Sequence, residues 1–553
     1  MSEKPLSLNE AIKEKSNFLR NGIEESLADP ITGATHPEAE QILKFHGIYL
    51  QDDRDIRAER AKQKLEPLYS MMIRVRLPGG ICTPKQWLVM DELARTYGNG
   101  TLRLTTRQTF QLHGILKRNL KATVAGINHA LMDSIAACGD VNRNVMCSVN
   151  PHLSKVHEEA YQWAVRIAEH LLPKSRAYYE IWLDEKKIAG EEEEPVYGKT
   201  YLPRKFKIAV ANPPKNDVDV FANDIGLITI VEDGALRGFN LAVGGGLSKT
   251  HGDDSTYSRL GTVIGYCDKD RIVDVCEKIL TVQRDYGDRS NRKHARLRYT
   301  IDDRGVDWFK EELEKRLGHH LKKEMPYVFT TRSDQYGWVK GDDDLWHFTL
   351  FVENGRVKDT ETVRIMSGLR SLAAMHEGDF RITPNQNLII ARVPEGEKAN
   401  IEKVLKEHGV PLEPGIYAQA MACVAFPTCP QAMAESERYL PSLMAKIGAF
   451  LKVKSIQDTI IVRMSGCPNA CSRAYLGEIG LVGKAPGLYD LYLGGNANGT
   501  RLAQKCRDSL REEEILQELN SWFERFAKER HQETFGDFTW GAMLEGLQAS
   551  DSE

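Results

Sequence analysis

The chain has 553 residues, with 74 Lys and Arg against 78 Asp and Glu, and ten cysteines. That length carries roughly three to four domains of ~150 residues and a core large enough to need no covalent staples. The near-even charge excludes a general nucleic-acid binder, which shows a basic excess, and no stretch approaches the ~20 apolar residues of a membrane span.

The opening residues have no apolar h-region, so no secretory leader is expected. Ten cysteines in so long a chain are not a disulfide framework. The expected home is a reducing cytoplasm, where clustered cysteines bind metal or do redox chemistry.

The first 65 or so residues are polar, with helical spacing over Leu8, Asn9, Glu10, Ala11 and Ile12. The segment Gln51 to Arg57 is too charged for a core and reads as a surface arm or interface segment. Met71 to Arg76 reads as a strand, whose period of two places Arg74 and Arg76 on one face. Leu77-Pro78-Gly79-Gly80 forces a turn. Lys85 to Tyr97 has helical period, with Trp87, Met90, Leu93 and Ala94 on one side. A strand from Thr101 to Thr105 follows.

This unit recurs. Gly100-Thr-Leu-Arg-Leu-Thr-Thr-Arg-Gln-Thr-Phe lines up with Gly378-Asp-Phe-Arg-Ile-Thr-Pro-Asn-Gln-Asn-Leu, matching Arg103 to Arg381, Thr105 to Thr383 and Gln108 to Gln386. A strand (Trp346 to Glu353), a turn at Asn354-Gly355 and a helix (Val363 to Met375) precede the second copy, in the order of the first. Two copies so far apart predict an internal duplication and a pseudo-two-fold molecule.

Between them, strands (Phe206 to Ala211, Ile225 to Val231) alternate with helices (Glu158 to Leu172, Arg271 to Tyr286), an α/β or α+β pattern. The acidic run Glu191 to Glu194 reads as a solvated loop. Gly244-Gly245-Gly246 reads first as a tight turn and second as a close backbone approach to a flat cofactor. Glu512 to Arg530 reads as an amphipathic helix.

Two sets of residues carry chemistry. Cys423 and Cys429, then Cys467 and Cys471, form two close pairs beside Pro427, Pro430 and Pro468. Zinc sites pair cysteines as Cys-x2-4-Cys, so the first spacing is wide for a zinc knuckle, whereas thiolates also suit iron–sulfur clusters. The i, i+4 spacing of the second pair would put both sulfurs on one face if helical. The spacing favours a [4Fe–4S] cluster and leaves zinc open. Cys82, Cys138, Cys147, Cys267, Cys276 and Cys506 read as small buried hydrophobes. The second set is cationic: Arg74, Arg103, Arg107, Arg143, Lys205, Lys207 and Arg296 sit beside apolar or strand-like segments, where a charge is costly without an anionic partner. Together they predict a pocket for something with several negative charges.

The combination of Cys-Val-Ala-Phe-Pro-Thr-Cys-Pro, Gly-Cys-Pro-Asn-Ala-Cys-Ser-Arg, Arg-Leu-Thr-Thr-Arg-Gln-Thr-Phe-Gln-Leu-His-Gly, Asn-Arg-Asn-Val and Leu-Pro-Arg-Lys-Phe-Lys resembles the sulfite/nitrite reductase family, from about Phe45 to Phe538. Within it the likeness is to the hemoprotein (beta) subunits of the assimilatory, NADPH-dependent branch. The resemblance implies a [4Fe–4S] cluster held by Cys423, Cys429, Cys467 and Cys471, and a siroheme whose iron shares Cys471. It implies active-site cations at Arg74, Arg143, Lys205 and Lys207, with Arg103, Arg107, Gln111, His113 and Arg296 around siroheme, whose eight carboxylates account for the cations.

The architecture implied is α/β (α+β) in three domains with a pseudo-two-fold repeat. The segments expected are an N-terminal arm with a possible docking role (1–70), a first repeat half (71–145), a central siroheme and substrate domain (146–330), a second half (331–420) and an iron–sulfur domain (421–553). The implied reaction is the six-electron reduction of sulfite to sulfide, serving sulfate assimilation and cysteine biosynthesis in the cytoplasm. Arg143 and Lys207 would bind and orient the anion, while Arg74 and Lys205 would add field and help deliver protons. No Gly-x-Gly-x-x-Gly follows a strand, so electrons from NADPH must arrive through a partner. In the resembled branch that is a flavoprotein (alpha) subunit carrying FAD and FMN, within a hetero-oligomer. The alternatives are an assimilatory nitrite reductase, which the Lys205–Lys207 pair disfavours, a ferredoxin-dependent sulfite reductase, and a metal-stapled binding protein without catalysis.

Overall fold

The computed structural model of the chain describes residues 5–149, 154–174, 181–183, 186–189 and 194–550. Residues 191–193 of the acidic run lie outside the described residues. Glu194 is buried, and its carboxylate accepts from the Lys174 amide at 2.8 Å, so the end of that run is not solvated.

Two antiparallel five-stranded sheets carry the repeat. The first runs in the order Ile48–Asp52, Tyr69–Arg74, Phe110–Ile115, Leu102–Leu104, Arg356–Val357; the third runs Gly337–Lys340, Trp346–Leu350, Leu388–Val393, Asp379–Ile382, Ile81–Cys82. Each half lends the other its last strand: Arg356 pairs with Arg103, and Cys82 with Phe380. Neither sheet is therefore complete within its own stretch of sequence. The aligned residues build the same turn twice. Thr105 N donates to Thr109 O and Gln108 N to Thr105 O, as Thr383 N donates to Asn387 O and Gln386 N to Thr383 O. Gln108 and Gln386 both take the left-handed backbone (φ +53° and +70°).

The helix Pro84–Thr96 begins at a Thr83/Gln86 capping box with proline in its first turn, which satisfies its free amides and fixes its start. It buries Trp87, Met90, Leu93 and Ala94, the face its period predicts. The Trp87 ring sits 5.5 Å from Phe110 of the first sheet and 5.1 Å from Phe380 of the third, so one side chain joins both halves.

The duplication extends beyond the motif legible in sequence. The second sheet (Met146–Cys147, Ile208–Ala211, Ile225–Glu232, Ala235–Val243, Thr262–Asp268) has three parallel strands followed by an antiparallel meander. The fourth (Ala420–Ala422, Val462–Ser465, Ile479–Ala485, Leu488–Leu493, Gln504–Leu510) repeats that order and sense. A helix crosses between the first two strands of each, Ser154–His170 and Leu440–Val453, and another follows the last, Ile272–Tyr286 and Glu512–Glu529.

Two expectations change. The strand beginning at Tyr69 ends at Arg74; the Arg76 guanidinium turns away to donate to Ala168 O at 3.0 Å. Gln51 and Asp52 are buried, because they end an edge strand of the first sheet. The arm is thus partly built into the body: in the helix Leu8–Lys15, Lys13 donates to Leu202 O at 2.8 Å and Glu10 pairs with Arg289.

Candidate functional site

A cavity of about 710 Å³ opens between the first, second and fourth sheets, and every site residue expected from sequence lines it: the four cysteines, Arg74, Arg103, Arg107, Gln111, His113, Arg143, Lys205, Lys207 and Arg296.

Lys205 and Lys207 reach it for a local reason. Residues 204–207 run alongside 141–143, with Phe206 N donating to Val141 O and Arg143 N to Phe206 O. Phe206 points into the core, so both flanking lysines point the other way. Among the described residues neither ammonium has a hydrogen bond or ion pair with protein, and the same is true of the Arg204 guanidinium. Burial, then the charges of Lys207 and Arg204, pushes Lys205 well below the ordinary lysine value. Burial, then Arg107 and Arg296, does the same to Lys207. Arg204 is pushed down to about 10, by burial and then Arg292, and Arg107 to about 9, by burial and then Arg143. Such a wall holds its charge at low cost only against anions.

The remaining cations divide. Arg103 and Arg296 have protein partners: Glu437 takes Arg103 together with Arg356, and Asp224 takes Arg296 through two bonds at 3.2 and 2.7 Å. They frame the cavity without being free for a ligand. Arg107 is held by Asn223 Oδ1 at 2.7 Å, and Arg143 by Gly139 O at 3.2–3.3 Å. Arg74 donates to Cys138 Sγ at 3.0 Å, and to Gln111 Oε1 once that amide is oriented to satisfy both groups. Cys138 is therefore more than the filler its sequence suggested. His113 Nδ1 meets Gln51 Oε1 at 3.2 Å; burial, then Arg356 and Arg103, keeps the ring neutral.

The thiols face these cations. Cys423 follows the strand Ala420–Ala422, Cys429 closes the next loop, and Cys467 and Cys471 follow Val462–Ser465. Residues 467–471 are turns, not helix, with Ala470 and Arg473 left-handed (φ +48° and +62°), because the chain reverses to enter the next parallel strand. Gly466 N points at Cys423 Sγ from 3.2 Å. Burial, then one another's proximity, raises Cys423, Cys429 and Cys467, with Cys429 reaching about 12. Their thiolates need a bound cation to form. Among the described residues no three His, Cys, Asp or Glu side chains converge closely enough to ligate one metal ion, while the four thiols line one cavity. Four soft donors on one cavity fit an iron–sulfur cluster. Cys471 alone of the four is exposed, and it stands near Lys207.

Several cavity residues were not singled out from sequence: Lys13, Tyr49, Asn144, Arg204, Lys249, Arg292 and Arg473. Asn144, Arg204 and Arg473 stand inside the quoted motifs, so position beside a named residue could have found them. Gly246 shows that the glycine turn also approaches the site; a Cβ there would meet Arg298 Nη1 at 2.4 Å. Lys13 and Tyr49 come from the arm and leave no local signal.

Four thiols opposite a wall of unneutralised cations, in one half-open cavity between duplicated lobes, define a redox centre for anions. Residues 162–321 match the nitrite and sulphite reductase 4Fe-4S domain, a segment that ends before the first of the four cysteines. Residues 63–130 and 339–408 each match the nitrite/sulfite reductase ferredoxin-like half domain, the two repeats seen in the fold. The chain is 57% identical over 544 residues to a Geobacillus kaustophilus protein named sulfite reductase [NADPH] hemoprotein beta-component, covering 97% of this chain and 95% of that one. It is 56% identical to the Oceanobacillus iheyensis protein of the same name, covering 97% and 94%. The solved structure of Mycobacterium tuberculosis NirA superposes with a TM-score of 0.77 over 97% of this chain and 96% of that one; at 23% identity this speaks to the fold alone. The chain belongs to the nitrite and sulfite reductase family.

Proposed function

We propose that the chain is the hemoprotein component of an NADPH-dependent assimilatory sulfite reductase, reducing sulfite to sulfide with six electrons and releasing three waters. The observation that carries this is the pair of unpaired ammoniums, Lys205 and Lys207, beside Arg74 and Arg143 in the cavity that the four thiols face. When bound, siroheme and a [4Fe–4S] cluster supply the electrons one at a time and the iron that takes the sulfur. Cys423, Cys429, Cys467 and Cys471 would hold the cluster, with Cys471 shared between the cofactors. Arg107 and Arg204 would meet siroheme's carboxylates, and Arg103, Gln111, His113 and Arg296 would shape their surroundings.

Lys207 and Arg143 bind and orient the sulfite oxygens through charge-assisted hydrogen bonds. Arg74 and Lys205 add field, which matters more as charge builds on the anion, and pass protons to the departing oxygens. A lysine whose charged form is made costly by burial gives up its proton readily, which suits Lys205 to that role.

The segments assigned are an arm (1–70), repeat halves (71–145 and 331–420), a central siroheme and substrate domain (146–330) and an iron–sulfur domain (421–553). The electron donor is a flavoprotein (alpha) subunit carrying FAD and FMN, in a cytoplasmic hetero-oligomer; no helix among the described residues is long and apolar enough to cross a membrane. The test is an anaerobic assay with reduced viologen, comparing sulfite with nitrite at limiting concentration. Higher efficiency with sulfite and stoichiometric sulfide are expected. Preference for nitrite would overturn the substrate.

A further inference from the structure

Asp219 has no place in the reaction as derived so far, yet it is fully buried and takes three arginines: Arg332 Nη1 at 3.2 Å, Arg463 Nη1 at 3.1 Å and Arg473 Nε at 2.9 Å. The internal duplication explains its address. Asp219 is left-handed (φ +46°) and opens the short helix Val220–Ala222 before the third parallel strand of the second sheet. Arg473, also left-handed, opens Ala474–Leu476 before the third parallel strand of the fourth sheet. Asp219 N donates to Asn216 O, and Arg473 N to Ala470 O, three residues back in each case. The two residues are counterparts, and they meet.

Their contact brackets two of the four thiols. Arg463 lies on the strand that leads into Cys467, and Arg473 lies two residues beyond Cys471. Arg332 also bonds Leu476 O, the far end of the turn that Arg473 opens. Arg473 Nη2 is fixed on Pro384 O at 2.7 Å, so its guanidinium is held on two sides. One carboxylate of the central lobe thus ties both ends of the Cys467–Cys471 segment of the iron–sulfur lobe.

We propose that Asp219 is a positioning residue for Cys471, fixing the thiol through Arg473 where cluster and siroheme would share it. This rests on the assignment of Cys471 made above. Asp219→Asn keeps the shape and removes the charge. In holoenzyme of full iron content it should shift the visible absorption spectrum and lower kcat ~10–100-fold, the range typical of lost support behind a metal ligand. The KM for sulfite should stay unchanged, because Arg143, Lys205 and Lys207 are placed by separate contacts. Arg473→Gln should give the same pair of changes, and the double variant no more than either alone.

Asp91→Asn controls for mere destabilisation. Asp91 is equally buried and pairs with Arg95 and Arg370, in the first repeat half and away from the cavity. It should lower the melting temperature and leave spectrum and kcat alone. A wild-type spectrum and kcat in Asp219→Asn would overturn the inference, as would the same spectral shift in Asp91→Asn. If Asp219→Asn yields no folded chain, Arg473→Gln decides by the same two readouts. Cys471→Ser separates the two levels. Unchanged spectrum and sulfide formation there refute the assignment of Cys471; a changed Cys471→Ser beside a silent Asp219→Asn refutes the role of Asp219 alone.

Discussion

Glu437→Gln would remove the carboxylate that pairs with Arg103 of the first repeat half and Arg356 of the second, the latter at 2.7 and 3.0 Å. Burial by itself would raise the Glu437 carboxyl, but the Arg103 and Arg356 guanidiniums overcome it and hold the group at about 2, against an ordinary 4.5. That difference is worth ~3 kcal/mol at ~1.4 kcal/mol per unit, a scale that applies because the group is only 14% exposed. Since the folded value is depressed, the stabilisation is complete above pH 4.5 and drains away as pH falls toward about 2. At pH 7 the variant should lose ~3–5 kcal/mol, because two guanidiniums are left buried without their partner. For cooperative units of ~150–250 residues this lowers the apparent melting temperature by ~6–20 °C. Melting followed by circular dichroism from pH 7 to pH 3 reads both effects, and the variant's acid limb should be flatter than that of the parent chain. A variant that melts like the parent at pH 7 and keeps its acid limb would refute the reasoning.

Lys207→Ala should cut kcat/KM for sulfite ~10–100-fold, mostly in KM, since a charge-assisted bond is worth ~1.5–3 kcal/mol; unchanged sulfide formation would remove Lys207 from the site. Because burial lowers Lys205 and Lys207 and the charged forms are the working ones, kcat/KM should fall as pH rises, at values below the ordinary lysine value of 10.5. Lys205→Met should remove part of that alkaline limb in the viologen assay. Trp87→Ala should cost ~3–5 kcal/mol by denaturant titration, because the cavity opens between two sheets at once. Lys13→Ala leaves Glu10 and Asp140 without a shared cation, so it should lower the melting temperature and the iron content of purified protein, although Lys13 stands far from the cysteines in sequence.

Sequence alone determined whatever depends on short-range pattern. Period gave the helix Pro84–Thr96 and its buried face, and alternation about Phe206 put Lys205 and Lys207 on one side. Cysteine spacing picked out the four thiols that line one cavity, and the Arg103/Arg381, Thr105/Thr383 and Gln108/Gln386 matches gave the repeat. Each of these is set by neighbours a few residues away. Tertiary structure decided what depends on partners hundreds of residues distant. It gave Arg103 and Arg296 their carboxylates, which separates framing cations from free ones. It turned Gln51 and Asp52 from a charged arm into a buried edge strand, because pairing with Tyr69–Arg74 satisfies their backbone. It also made counterparts of Asp219 and Arg473, whose equivalence is a matter of backbone conformation and strand order and leaves no trace in residue type.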